Sequence, residues 1–253
     1  MPDDVTGAEL DRDVRRALTS LGDFTAKEVA RHLVMVGRLL DDDPEAAWQH
    51  GLAARGRAAR IGVVREAAGL AAYHAGHYTE ALAELRTARR LTGSDEQLPV
   101  IADCERALGR PERALSIAAS PEVGKLPVDQ RVEMLIVESG ARADLGQLEA
   151  AVITLQLGLL DNRSGAPWVA RLRSAYADAL AAVGRDAEAR HWLERAAEAD
   201  PDDVTGVHER LAELDGIVLT DLEDEDDSDD SDADDADDSD EATAFEGGDD
   251  GQR

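Results

Sequence analysis

Residues 69–91 read GLAAYHAGHYTEALAELRTARRL, and the architecture of the chain follows from them. Two runs with apolar residues at helical spacing meet at Gly76-His77-Tyr78, and Glu80-Ala81-Leu82 opens the second run. A glycine at such a turn takes the positive φ that ends a helix without a Cβ clash. Small residues stand where two antiparallel helices would come closest, Gly69 on the first run and Ala81 and Ala88 on the second. The stretch predicts a helical hairpin.

The same element returns along the chain. The small residue that opens each second helix recurs at Ala81, Ala114, Ala151 and Ala189, at spacings of 33, 37 and 38 residues. Each is preceded five positions earlier by a glycine: Gly76, Gly109, Gly146 and Gly184. The turns GHYTEAL, GRPERAL, GQLEAAV and GRDAEAR are one motif written four times. The pattern resembles the tetratricopeptide repeat, a helix-turn-helix unit of about 34 residues. Ala196, Ala199, Asp200 and Pro201 match that family's end-of-repeat Ala and Pro, and the excess length falls in loops at 120–125 and 161–165. The Trp, Leu and Gly of the family's first helix are mostly missing, and the second helix of the second unit, from Pro111 to about Ala119, is short.

The resemblance implies an all-α fold, a right-handed superhelical array of antiparallel helix pairs (an α-solenoid). Four units are expected at 62–95, 95–128, 132–165 and 170–202. Residues 1–61 fit the pattern poorly and read as divergent N-terminal helices after a polar lead at 1–7. Thr25 and Glu28 have capping-box spacing, and Asp41-Asp42-Asp43-Pro44 stops one helix and starts the next. Residues 203–220 read as a capping helix, with Asp203 or Thr205 as N-cap and Val207, Leu211 and Leu214 on one face. A terminal repeat needs such a cap because its outer face has no neighbour.

Charge divides the chain. Residues 221–253 hold 18 Asp and Glu against one Arg, so seventeen of the 28 net negative charges fall on the last 33 residues. With Phe245 as the only aromatic, that segment cannot offset the entropy of ordering, and a disordered acidic tail is expected. Three uses are open to it: solubilising the chain, docking on or mimicking nucleic acid for a basic protein, and masking the arginine clusters at 55, 57, 60, 65 and 86, 89, 90. Those arginines could also pair with nearby Glu and Asp. Direct nucleic-acid binding is not expected, because the body is net negative and the tail repels phosphate over a Debye length of roughly 8 Å. No apolar run is long enough for a membrane span, the acidic N-terminus is unlike a signal peptide, and a single Cys104 fits a reducing compartment. Cytoplasmic placement is the expectation. The preference for Arg over Lys, with only Lys27 and Lys125 present, suggests a high-GC bacterial genome.

Catalytic motifs are not found: no P-loop, no GxSxG and no HExxH. His74 and His77 straddle a helix end and need not share a metal, and Cys104 reads as a small buried apolar residue. The chain is expected to be no enzyme and to need no cofactor. In the register of the resemblance, the first helix of each unit lines a concave face. The expected partner-binding residues are Glu66, Leu70, Tyr73 and His74, then Asp103 and Arg106, then Glu133, Ile136 and Val137, then Arg171 and Asp178. Val63, Ala67, Glu96, Val100, Gly140, Asp144, Ser174 and Ala181 fall at further positions of that face. These positions lack the Lys and Asn with which related repeats clamp a carboxylate. A mildly acidic groove of small residues suits an amphipathic helix or a basic extended peptide. The expectation is a protein-interaction scaffold, and the alternative is a charge-based regulator that sequesters a basic, nucleic-acid-binding protein through the tail.

Overall fold

The computed structural model describes residues 1–215 except 202 and 204, and the expectations for the acidic tail lie outside the described residues. Among the described residues there are twelve α-helices, three 3-10 turns and no strand. Helix α1 is Arg12–Ala17, α2 Asp23–Leu39, α3 Pro44–Ala58, α4 Gly62–His74, α5 Tyr78–Thr92 and α6 Leu98–Ala107. Then follow α7 Pro111–Ala118, α8 Val128–Asp144, α9 Leu148–Leu155, α10 Pro167–Ala182, α11 Asp186–Ala197 and α12 Val207–Leu214. From α2 onward the helices pack in consecutive pairs, α2 on α3 through α10 on α11, with α12 on α11. Alternate helices also touch, α2 with α4, α6 with α8 and α8 with α10, and this stacks the pairs into an array.

The four turn glycines all adopt left-handed backbone, with φ between 71° and 77°. Each is followed by a residue whose N–H donates to the carbonyl five residues back, the 6→1 bond of the Schellman motif. These bonds run from His77 to Ala72 O (2.8 Å), Arg110 to Glu105 O (2.9 Å), Gln147 to Arg142 O (2.9 Å) and Arg185 to Leu180 O (3.0 Å). One sequence motif thus closes four helices by one hydrogen-bond pattern. The alanines five residues on are buried: Ala81 and Ala114 are 0% exposed, Ala151 2% and Ala189 5%. Gly69 is small for a measurable reason, since a Cβ there would lie 2.7 Å from Leu85 Cγ.

The core is a row of clusters between neighbouring pairs. Trp48, Ala68, Ala72, Leu82, Leu85, Ile101 and Cys104 form one of them. Val152, Leu155, Trp168, Leu172, Tyr176, Leu180, Leu193 and Val207 form another, in which α12 covers the end of the last pair. The excess of the second pair includes a 3-10 turn at Val123–Lys125; in the third pair a 3-10 turn at Gly158–Asp161 precedes the expected loop, of which it takes only Asp161.

The flanks correct several expectations. Helix α2 begins at Asp23, with Gly22 as N-cap and no side-chain cap bond, so Thr25 lies inside the helix and Glu28 pairs instead with Arg31 at 3.7 Å. Asp43 does cap α3, accepting from Ala46 N at 3.0 Å, with Pro44 as the first helical residue. The lead is tied down rather than free. Val5 is 1% exposed and packs on Val34 and Met35, and Arg31 donates to Val5 O at 2.8 Å. At the other end the N-cap position of α12 is Gly206, yet Asp203 Oδ1 still accepts from the first-turn N–H of His208 at 3.1 Å, while Thr205 donates to Asp200. Val207 is buried and Leu211 packs on the core, whereas Leu214 is 58% exposed.

Candidate functional site

A groove of about 680 Å³ runs along the face made by α4, α6, α8 and α10. Its apolar strip is Val100 from α6, Ile136, Val137 and Ala143 from α8, and Ala175, Ala179 and Ala182 from α10. Of the expected residues, Tyr73, His74, Asp103, Arg106, Glu133, Ile136, Val137, Arg171 and Asp178 line it together. Glu66 and Leu70 do not. Glu66 is turned toward the start of α6, where it accepts from Gln97 Nε2 at 2.8 Å, and Leu70 packs on the cluster around Trp48. Gln97, Gln130 and Ser139 also line the groove, as do Leu148 and Ala151. The last two belong to α9, so the lining is not confined to first helices. The start of α9 therefore contributes to the lining, and nothing in the repeat register signals this.

The charged groups of the groove are neutralised within the array. Tyr73 Oη donates to Asp103 Oδ2 at 2.6 Å, and Arg106 Nε donates to Asp103 Oδ1 at 2.9 Å. Arg106 also faces Asp144 at 3.7 Å and lies across Gly140, where a Cβ would come within 2.7 Å of its guanidinium. Arg171 donates to Glu133 Oε2 at 2.7 Å. Asp178 is paired with Arg210 of α12, which also donates to Ser174 Oγ at 2.7 Å. His74 lies 3.8 Å from Asp41.

These contacts set the titration of the groove. Burial raises the Tyr73 phenol, and the bond to the Asp103 carboxylate raises it further. Burial pulls Arg106 down, but its bond to Asp103 and the nearby Asp144 outweigh that and hold it above its ordinary value. Burial raises Glu133, and Arg171 opposes it without cancelling it. Beneath the groove, burial and the adjacent Asp103 and Glu105 push the Cys104 thiol up to about 12, so it stays protonated and poorly nucleophilic at neutral pH.

Two buried carboxylates beside the site were not singled out by sequence reasoning. Glu84 on α5 is 5% exposed and is held by Arg55 at 2.7 Å and Arg65 at 2.6 Å. Glu105 on α6 is 0% exposed and faces Arg86 at 2.5 Å, Arg110 at 3.2 Å and Arg113 at 3.9 Å. Arg55 and Arg65 of the first arginine cluster and Arg86 of the second are therefore occupied by these carboxylates. A signal for them did exist, since each glutamate falls on the buried stripe of its helix, Glu84 beside Ala81, Leu85 and Ala88, and Glu105 beside Leu98, Ile101 and Ala102. His77 leaves the groove to bond Glu45 at 2.7 Å. Among the described residues, no three His, Cys, Asp or Glu side chains converge as metal ligands, and no helix is long and apolar enough to cross a membrane.

Paired helices closed by one turn motif, stacked about a groove, define a helical-repeat protein. Residues 170–214, which span most of α10 together with α11 and α12, match the family model of the tetratricopeptide repeat. The match supports a tetratricopeptide-repeat protein and, in general terms, a protein–protein interaction module. No curated protein matches it.

Proposed function

We propose that the groove receives the apolar face of an amphipathic helix from a partner protein, and that the chain acts as a non-catalytic scaffold. The observation that carries this reading is the pairing of Asp103, Arg106, Glu133, Arg171 and Asp178 within the array. A basic peptide would have to break those pairs to gain its own, and exchanging one ion pair for another yields little net affinity. What the groove offers unspent is the strip around Val100, Ile136 and Val137, which fits apolar anchors at i, i+3, i+4 and i+7 of a bound helix.

A displayed library of amphipathic-helix peptides, selected on the intact chain, tests this. Binders should lose about tenfold or more in affinity against Ile136→Asp, since a buried anchor contact typically contributes more than 1 kcal/mol. Their affinity should change by less than about threefold between low and high salt. Selection of Lys- and Arg-rich sequences whose binding vanishes with salt or with removal of 221–253 would replace this reading by capture of a basic protein through the acidic segment.

A further inference from the structure

His32 of α2 and His50 of α3 meet across the first helix pair with their Nδ1 atoms 2.9 Å apart and their ring centroids 5.1 Å apart. Two imidazole nitrogens at that distance share one proton, one ring donating Nδ1–H and the other accepting with its lone pair. We propose that this pair is an acid-sensitive latch that holds α2 on α3 and releases it when the second ring is protonated.

The proton count explains the step. A first added proton goes to Nε2 of the donor ring and leaves the Nδ1–H···Nδ1 bond in place, now charge-assisted. The second must enter on the accepting Nδ1. It removes the only acceptor between the rings and sets two cations in contact. The two protons therefore bind in coupled steps that belong to the pair.

The surroundings hold the second proton off. Facing the pair are Glu28 and Arg31 on α2, Arg57 on α3 and the amino terminus, three of the four cationic. The packed α4 directs its own charged groups elsewhere, Arg65 to Glu84, Glu66 to Gln97 and His74 to Asp41. Burial lowers His32, with His50 and Arg57 adding to it, and burial lowers His50, with the amino terminus adding. With both rings depressed, the unfolded chain binds more protons than the folded one as pH drops. The stability that the pair confers is fully present above the ordinary imidazole value of about 6.5 and is lost as pH falls below it.

Only one side of α3 carries this sensitivity. On its other side His77 bonds the Glu45 carboxylate at 2.7 Å, a contact that an added proton on the ring strengthens, and Trp48 is buried in the core. Acid thus loosens α2 from α3 while α3 stays on α4.

Hydrogen exchange on the intact chain, corrected for the intrinsic effect of pH, tests the latch. Between about pH 7.5 and about pH 5, amides of α2 should lose protection relative to those of α4, by about tenfold for each unit of depression of the second proton. In His32→Asn the amide offers both a donor and an acceptor to His50, so only the burial of His50 still opposes a proton and the pH dependence of α2 protection in that window should be clearly smaller. Equal protection of wild-type α2 at both pH values overturns the proposal, as does undiminished acid sensitivity in the variant. Should the variant not fold, 15N spectra of the wild-type imidazoles decide. One of the two rings should take its proton below the ordinary range, and titration of both within that range overturns the latch.

Discussion

Alanine is a better helix former than glycine by about 1 kcal/mol, so Gly69→Ala in α4 would stabilise the chain if the site were open. The structure reverses the sign. The new Cβ would stand 2.7 Å from Leu85 Cγ, 2.8 Å from Leu85 Cδ2 and 3.1 Å from the Leu85 backbone nitrogen. Leu85 is 0% exposed and its Cγ is a branch point, so it cannot swing aside, and α5 must move off α4. Overpacking of this kind costs about 1–3 kcal/mol. After the gain in helix propensity is subtracted, a net loss of up to about 2 kcal/mol remains, or up to roughly 8 °C in melting temperature at this size. Gly56→Ala in α3 is the matched control, because no atom lies within 4 Å of the added Cβ. It should gain about 0.5–1 kcal/mol. Thermal and urea melts followed by circular dichroism measure both. If Gly69→Ala melts at or above wild type, the close crossing of α4 and α5 is wrong.

Glu105→Gln removes the charge that Arg86 and Arg110 share and turns an amide donor toward a guanidinium. Both arginines are partly exposed and regain water, so the loss should be about 2–3 kcal/mol, below that for a fully buried pair. The exposed Glu112→Gln should stay within about 0.5 kcal/mol, and equal urea midpoints for the two variants would count against the clamp. Arg173, 5% exposed, donates to Leu160 O at 3.1 Å, Arg195 O at 2.6 Å and Asn162 O at 2.7 Å, so it pins the Gly158–Asp161 turn against α11. Arg173→Met should free that turn and speed tryptic cleavage after the exposed Arg163 several-fold under native conditions. An unchanged cleavage rate would mean that the turn is held by other contacts.

The repeat was legible because its signals are local and redundant. A glycine that must take positive φ and an alanine that must fit a crossing recur at Gly76/Ala81, Gly109/Ala114, Gly146/Ala151 and Gly184/Ala189, and each pair is read without knowing what lies opposite. The groove was legible wherever a residue's place depends on its own helix, as for Asp103, Glu133, Ile136 and Arg171. It was not legible where the place depends on how two pairs are rotated. Glu66 is drawn aside by Gln97, Leu70 is drawn into the Trp48 cluster, and Leu148 at the start of α9 reaches the lining. The capping box at Thr25 failed in the same way. The helix could start earlier, at Asp23, with its first turn otherwise unconstrained, and a weak local preference decided nothing. The burial of Glu84 and Glu105 was legible from the apolar stripes they share, but the arginines that neutralise them come from other helices and were not.

The unequal second helices have a mechanical meaning. Helix α5 has 15 residues and α11 has 12, whereas α7 and α9 have 8 each. At 1.5 Å per residue α9 is about 12 Å long beside an α8 of about 25 Å, so its own hairpin partner flanks only about half of α8 and the rest is left to α6, α7 and α10. An array built this way is a spring with a soft centre and stiff ends. Tension applied at its termini would be taken up first at α7 and α9, and the groove, which crosses those pairs, would widen before either flank yielded.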